Sequence, residues 1–371
     1  MDRETVAVYD ANAATYHRNR SAADTERVAS LTALLDDDDR IVDLGCGPGL
    51  NLDQLGAHRT VALDAARAML AEIPPDQRRL AVQADLAAVP LRRGSVQAVW
   101  ANKSLQHVDA ATLPMALAGL HHSLSVGGQL ELLAFTGEGE WRSDDDLPGR
   151  RFTLWSPEAW LDLLMGAGFE VDQVDERTAP PGQHWPAGMI RLRATRARTL
   201  PDTVGPGMDL LVCGLNPSCY AADAGAGFAR PGNRFWPALT AAGLSDEATD
   251  RAPARLLAVR HIGMTDLVKR ASVGAAELST AEYRSGLARV ERLCGRLQPR
   301  AVCFVGLAGW RAAADRKAVA GWQPRELAGV PVYVMPSTSG LNARTSLEVF
   351  TDHLKAAISV TRRSRRPGAH R

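Results

Sequence analysis

No stretch of this chain stays apolar for the length of a membrane span, and its N-terminus carries no apolar signal region. No membrane partner is therefore expected. Cysteine is also scarce. The five (Cys46, Cys213, Cys219, Cys294, Cys303) are scattered, mostly in apolar strands or helices, and no C-x-x-C pair exists. Zinc and iron–sulfur sites need such pairs, so no metal is expected. Lone thiols without a disulfide framework fit a reduced, cytoplasmic protein.

What is present is enough for two packed cores. The 371 residues exceed one ordinary domain, and 46% of them are hydrophobic. The formal net charge of +1 conceals a split: residues 1–190 hold 16 Lys+Arg against 28 Asp+Glu, and residues 191–371 hold 27 against 14. Such asymmetry points to a nucleic-acid partner for the basic half. The excess is nearly all arginine, which suits phosphate contacts. Part of it is a C-terminal tail (Arg362, Arg363, Arg365, Arg366, Arg371), but the half stays positive without it.

In the first half, short apolar strands alternate with helical patterns, and the strands end in acids or amides. Arg40 to Leu44, Thr60 to Leu63, Leu80 to Ala84 and Val96 to Trp100 bring Asp43, Asp64, Asp85 and Asn102 to strand ends. A mainly parallel sheet with helices on both faces is predicted, and such sheets place ligands at the carboxyl ends of their strands. After the first strand comes Gly45-Cys46-Gly47-Pro48-Gly49, where bare backbone can approach a ligand closely. A dinucleotide fingerprint would need G-x-G-x-x-G, and here the third glycine falls one residue early.

This half resembles the class I S-adenosylmethionine-dependent methyltransferases, whose first motif Asp43-Leu44-Gly45-Cys46-Gly47-Pro48-Gly49 matches residue for residue. The resemblance implies S-adenosylmethionine as cofactor. Asp43, Gly45, Cys46, Gly47 and Gly49 would form the loop on its methionine and ribose part. Asp64 would accept the ribose hydroxyls, Asp85 with Leu86 would contact the adenine, and Asn102 would lie beneath the methionine end. His107 stands on the acceptor side as a candidate base. The methyl acceptor is not legible in the sequence. Prolines 180, 181, 186, 201 and 206, with Arg191, Arg193, Arg196 and Arg198, mark a seam.

Beyond the seam, the apolar run Leu210 to Cys213 leads into Gly214-Leu215-Asn216-Pro217, and then Phe228-Ala229-Arg230-Pro231-Gly232-Asn233-Arg234-Phe235-Trp236. Proline has no N–H to give, so the strand stops there and leaves Asn216 at the carboxyl end of the sheet. Downstream, the strand Val330 to Met335 exits into Pro336-Ser337-Thr338-Ser339-Gly340-Leu341-Asn342. These two exits resemble the signature motifs of the mismatch-specific uracil/thymine DNA glycosylases, over roughly residues 200 to 358. The first motif of that family is Gly-Ile-Asn-Pro followed by Pro-(Ala/Gly)-Asn-(Arg/His)-Phe-Trp. The second is Pro-Asn-Pro-Ser-Gly-Leu in one branch and Met-Pro-Ser-Ser-Ser in another, and the present chain mixes the two.

The resemblance implies that duplex DNA with a mismatched uracil is the substrate, and that the flipped base is released by hydrolysis. Asn216 would position the attacking water, and Phe228 would stack on the base. Leu341, carried by Ser339 and Gly340, would fill the hole in the stack. Asp266, in what reads as a turn at Gly263-Met264-Thr265, would be the second catalytic residue, a position where relatives carry Asn or Lys and some Asp. Asn233, Arg234 and Trp236 would fix the loop. The expectation is two doubly wound three-layer α/β/α domains: residues 1–180 a Rossmann-like methyltransferase fold, 181–206 a Pro/Arg-rich linker, 207–358 a uracil-DNA glycosylase-like fold, and 359–371 a disordered basic tail. A monomer is expected. The competing reading is a methyltransferase acting on nucleic acid or small molecules, whose second domain only binds DNA.

Overall fold

The computed structural model describes residues 1–21, 25–56, 58–178, 188–246, 249–342 and 344–363. The chain divides into two compact units, Met1–Ala197 and Arg198–Arg371. Pro180, Pro181 and Pro186 of the seam, and the tail from residue 364, lie outside the described residues.

The first unit starts with α1 (Arg3–Asn19), capped by the Asp2 carboxylate on the Thr5 N–H. Then follow α2 (Thr25–Thr32), β1 (Ile41–Leu44), α3 (Leu52–Leu55), β2 (Thr60–Asp64), α4 (Arg67–Ala71), β3 (Ala81–Gln83), β4 (Val96–Asn102), α5 (Leu113–Ser123), β5 (Leu124–Thr136), β6 (Gly139–Arg142), β7 (Arg151–Leu154), α6 (Pro157–Gly166), β8 (Phe169–Thr178) and β9 (Gly188–Arg196). Seven strands form one sheet in the order β3-β2-β1-β4-β5-β9-β8. β1 to β5 pair in parallel, whereas β9 runs antiparallel to both neighbours. The order reverses beside β1, so the crevice falls at the ends of β1 and β4. β6 and β7 make a separate antiparallel hairpin.

β9 corrects the expected linker over 181–206. Ile190, Leu192 and Ala194 are buried in the core, and the alternate Arg191 and Arg193 reach the Glu131 carboxylate on β5. The period-two signal was present, but arginine on the second face disguised it.

The second unit runs β10 (Leu210–Gly214), α7 (Cys219–Ala224), α8 (Phe235–Ala241), α9 (Pro253–Arg260), β11 (Ile262–Asp266), α10 (Thr280–Leu297), β12 (Val302–Val305), α11 (Leu307–Ala313), β13 (Gly321–Trp322), β14 (Val332–Met335) and α12 (Leu347–Arg363). The sheet order is β11-β10-β12-β14-β13, parallel except for β13. Along β10, Leu211 and Cys213 join one core and Leu210 and Val212 the other, so the sheet is covered on both faces.

Two expectations change here. Gly263 to Asp266 is strand β11, not a turn. The glycine is there because Met208 fills the space of a side chain: a Cβ on Gly263 would lie 2.2 Å from Met208 Sδ. And α12 continues to Arg363, so the first residues of the expected tail are helix.

Candidate functional sites

In the first unit a cavity of about 970 Å³ opens at the carboxyl ends of β1, β2 and β4. Asp43, Gly45, Cys46, Gly47, Asp64, Leu86 and Asn102 all line it, as the strand-exit pattern predicts. Gly45 and Gly47 have φ of 73° and 55°, which a side chain would strain. A Cβ on Gly45 would also sit 2.4 Å from Ser104 Cβ, so bare backbone closes this wall.

Two of the predicted residues are absent from the lining. Gly49 packs inward, where its Cβ would meet Leu52 at 2.8 Å and Ile73 at 3.1 Å. Asp85 accepts the Ala87 N–H at 2.9 Å and the Met1 ammonium at 2.9 and 3.1 Å.

The electrostatics of the cavity floor suit a cation. Asp43 is buried, and its carboxyl is pushed up to about 8, first by burial and then by Asp64. Its Oδ2 is buried with no hydrogen-bond partner, and so is Ser104 Oγ; both residues line the cavity. A buried carboxylate oxygen without a donor is costly unless a ligand supplies one. Asp64 is raised too, mainly by burial, although its oxygens accept the Gly47 and Ala66 N–H groups at 2.8 Å each.

His107 does not stand as a base. Its ring is buried, with Nδ1 2.8 Å from the Arg151 carbonyl and Nε2 3.0 Å from the Tyr9 hydroxyl. A carbonyl only accepts, so Nδ1 carries the proton and Nε2 accepts from Tyr9. Burial, with Arg150 nearby, pushes the imidazole down to about 4 and keeps it neutral. Arg150 donates to the same Tyr9 oxygen at 3.2 Å and pairs with Asp145. This Tyr9–His107–Arg150 set lines the cavity and went unseen in the sequence, because α1, the turn after β4 and the residue before β7 meet only in the fold. The Glu131 carboxylate, fully buried, holds Arg27 at 3.1 Å, Arg191 at 2.8 Å and Arg193 at 3.0 Å. The seam arginines 191 and 193 thus belong to this sheet and do not extend a DNA-binding surface.

In the second unit the two motifs meet. Gly214 is the register partner of Asp266, and a Cβ on Gly214 would lie 2.3 Å from Asp266 Oδ1 and 3.4 Å from Phe228 Cζ. Asp266 therefore leans over the end of β10, beside Phe228. Burial pushes its carboxyl up to about 6; Asp202 adds to this, and Lys269 and Arg289 oppose it. Asn216 Nδ2 donates to Ser272 Oγ at 2.8 Å and to the Pro217 and Arg270 carbonyls at 3.1 Å each. The amide nitrogen is thereby fixed on the protein, which assigns Oδ1 as the end for a solvent or substrate donor.

Phe228 has φ 58°, a conformation costly for an aromatic residue, and stacks on Phe235 with ring centroids 4.1 Å apart. The residue is half-buried. Leu341 is 90% exposed, a large apolar side chain held in solvent at the apex of a turn. Ser339 and Gly340 build that turn. The Ser339 carbonyl accepts the Asn342 N–H at 2.9 Å, and a Cβ on Gly340 would stand 3.1 Å from the Gly232 carbonyl.

Arg234 ties the motifs together. Its N–H donates to the Thr338 carbonyl at 3.0 Å, its guanidinium donates to the Asn342 and Thr345 carbonyls, and it lies 4.8 Å over the Phe350 ring. Asn233 accepts the Phe235 N–H, and Trp236 Nε1 donates to the Gly227 carbonyl, each at 2.9 Å. All three thus take the scaffold part that the motif implies. Beneath them lies a network the sequence hid. Asp202 accepts from Thr265 Oγ1 at 2.6 Å, Lys269 at 2.7 Å and Arg289 at 2.7 Å, and Arg289 also donates to the Asp266 carbonyl at 2.7 Å. Burial alone would raise the Asp202 carboxyl, but Arg289 and Lys269 outweigh it and hold the group below its ordinary value.

Comparison with known families gives two separate matches. Residues 201–359 match the uracil DNA glycosylase superfamily, and residues 41–128 match a methyltransferase domain. The chain joins these two kinds of domain.

Solved structures similar to the first unit include an S-adenosylmethionine-dependent methyltransferase from Mesorhizobium loti. It is 20% identical over 47% of this chain and 99% of that one, with a TM-score of 0.37. Another is a possible histamine N-methyltransferase from Thermotoga maritima, 18% identical over 51% and 99%, with a TM-score of 0.39. The [4+2]-cyclase SpnF is 18% identical over 47% and 80%, with a TM-score of 0.37. At these scores none of them assigns a reaction to the methyltransferase domain. Among the described residues no helix is long and apolar enough to cross a membrane, and no cluster of His, Cys, Asp or Glu could hold a metal ion.

Proposed function

We propose that the glycosylase domain removes uracil, and more weakly thymine, from mismatches with guanine in duplex DNA, and that the methyltransferase domain transfers a methyl group from S-adenosylmethionine. The observation that carries the first part is the convergence of Asn216, Asp266 and Phe228 where β10 and β11 end together. A flipped base stacks on Phe228 while Leu341 enters the vacated stack. Asn216, with its nitrogen anchored, orients a water through Oδ1; an amide has no basicity to deprotonate it. As the sugar gains oxocarbenium character, the water oxygen bonds to C1′ and the C1′–N bond breaks. The base leaves as an anion, and the water proton passes to Asp266. Ionised Asp266 only accepts hydrogen bonds, which favours bases with an N3–H over cytosine. Lys269, three residues after Asp266, is held by buried Asp202, so the product is an abasic site without strand cleavage.

In the methyltransferase domain the unpartnered oxygens of Asp43 and Ser104 and the bare backbone at Gly45 fit a ligand that carries an ammonium and hydroxyls. S-adenosylmethionine supplies an electrophilic methyl group on a sulfonium. Asp43 and Asp64 would face its cationic and ribose parts, and Leu86 its adenine.

Single-turnover excision from a duplex with one G·U pair, enzyme in excess, tests the first reading. Asn216→Ala and Asp266→Ala are each expected to slow it about ten-fold or more, at least ~1.4 kcal/mol of barrier. An Asp266→Ala enzyme as fast as wild type removes the base role; an unimpaired Asn216→Ala removes the site. Calorimetric titration of S-adenosylmethionine into wild type and Asp64→Ala tests the second. Equal affinity in both, or none in wild type, overturns it.

A further inference from the structure

The cavity of the first unit extends beyond its floor. At about 970 Å³ it stands at the upper end of the range for small-molecule sites, about 300–1,000 Å³, and the residues that face S-adenosylmethionine line only its strand-end side. The rest of the wall is aromatic. Phe, Trp and Tyr make up 5% of the chain, yet Tyr9, Tyr16, Phe135, Trp141 and Phe152 all line this one space. The rings touch in series. Centroids lie 5.7 Å apart for Tyr9 and Tyr16, 5.7 Å for Phe135 and Phe152, and 4.9 Å for Trp141 and Phe152. His107 joins Tyr9 to Phe152 at 5.5 and 4.6 Å.

Such a wall can hold a cation on its ring faces or a flat apolar body along them. Here the protein puts its own cations over the rings. Lys103 Nζ stands 5.6 Å from the Phe135 centroid, and the Arg20 guanidinium 5.1 Å from that of Tyr16. Arg150 lies 5.6 and 5.4 Å from those of Tyr9 and Phe152. A cationic ligand would meet like charge at four of the five rings. The acids on this side are each engaged by an arginine: Asp145 by Arg150, Asp146 by Arg20 and Asp175 by Arg177. Lys103 follows Asn102 at the end of β4, has φ 58°, and donates its N–H to the Leu133 carbonyl at 2.8 Å. Burial first, and then Arg20 and Arg27, hold its ammonium below the ordinary lysine value, so its charge is costly there and an anion beside it relieves the cost. Asn102 and Ser104, its neighbours in sequence, also line the cavity, which puts Lys103 at the border between the floor and the aromatic wall.

We infer that the aromatic side of this cavity takes the methyl acceptor, and that the acceptor is a small planar aromatic molecule bearing a carboxylate or phosphate held by Lys103. The inference rests on the methyltransferase reading and supplies its second substrate. The flat body lies along Phe135, Phe152 and Trp141, and the oxyanion meets the Lys103 ammonium. The carboxyls of Asp43 and Asp64 at the floor suit a cationic cofactor and not an anion, so the two substrates sort to opposite ends by charge.

The test is calorimetric, on the full chain, with naphthoate, naphthyl phosphate, naphthamide and naphthylmethylamine as probes. At least one of the two anions is expected to bind about ten-fold or more tighter than the amide, which forfeits a charged hydrogen bond, with the amine weakest of all. The tighter anion identifies the oxyanion. Lys103→Met should remove the preference while S-adenosylmethionine binds as in wild type, and Lys103→Arg should keep most of it. The anion should bind equally well when S-adenosylmethionine is saturating. Anions no tighter than the amide, an amine that binds more tightly, a Lys103→Met protein that keeps the preference, or competition between anion and S-adenosylmethionine each overturns the proposal. If the anions bind through Lys103 but wild type takes up no S-adenosylmethionine, the anion pocket stands and the methyltransferase reading falls.

Discussion

The two domains solve one problem in different ways. Both place their candidate residues at the carboxyl edge of a largely parallel sheet, and both bury a carboxylate among several cations. In the methyltransferase domain the site is an enclosed cavity whose floor is the strand ends themselves, Asp43, Asp64 and Asn102. In the glycosylase domain it is a rim, in which two loops far apart in sequence are joined by Arg234 and tipped by Leu341. The buried carboxylates differ accordingly. Glu131 joins the neighbouring strands β5 and β9 and takes Arg27 from α2, whereas Asp202 joins β11 to α10 directly under Asp266. The lesson concerns charge. Arginines that read as a nucleic-acid surface include Arg193, Arg196 and Arg289, all buried. Only the cations that stay exposed keep their charge available to a partner.

The largest expected effect comes from breaking the two networks. Asp202→Ala leaves Arg289 and Lys269 buried without their carboxylate and should cost about 3–5 kcal/mol, and Glu131→Ala should cost as much in the other domain. Calorimetric unfolding of the full chain should show each substitution moving a different transition. One transition moving for both would mean that the domains unfold as a unit. The folded Asp202 carboxyl is depressed, so its contribution is complete above the unfolded value of about 3.9 and disappears as pH falls through the folded value. The gap between wild type and Asp202→Ala should therefore close only in acid.

A smaller effect separates the two strand-exit glycines. Gly45→Ala meets both a φ of 73° and Ser104 Cβ at 2.4 Å, so it should cost about 1–3 kcal/mol and weaken cofactor binding at least ten-fold. Gly214→Ala clashes with the tip of Asp266, which can swing away, and meets Phe228 only at ordinary contact distance. Stability should change by less than ~1 kcal/mol while excision slows as much as in Asp266→Ala. Equal destabilisation by the two would show that the Asp266 carboxylate is as immovable as the Ser104 wall.

The smallest effects are pH profiles, and they run to different midpoints. A cationic cofactor favours ionised Asp43, so its binding expels a proton and its affinity should rise with pH until about 8. Excision needs ionised Asp266 and should decline as pH falls below about 6, an inflection absent from Asp266→Asn. Coincident midpoints would mean that the two carboxyls do not differ as their surroundings imply.

The strand-exit residues were legible because an exit is a local event: an apolar run, then a residue that cannot continue the ladder. Asp43, Asp64, Asn102 and Asn216 all follow from that pattern: Asp64 and Asn102 end β2 and β4, Asp43 stands just before the last residue of β1, and Asn216 follows the end of β10. The misreadings arose where a local signal had a distant cause. Gly263 read as a turn because glycine usually marks one, but Met208 is what forbids a side chain there. β9 read as a linker because the partner of its arginines, Glu131, lies 60 residues from the nearer one in sequence. Asp85 and Gly49 match the motif by position, yet neither lines the cavity, since their surroundings are set by Met1, Leu52 and Ile73.

By itself, then, the sequence determined the two domains, their alternating elements and the polar residues at the strand exits, because periodicity and proline or glycine punctuation act within a few residues. Only the tertiary structure decided which cations are structural and which remain exposed. It also decided that His107 is a neutral partner of Tyr9 rather than a base, and that Asp266 leans over Gly214. Those outcomes depend on which groups meet across elements, and on the loss of water that makes a buried charge take the nearest partner.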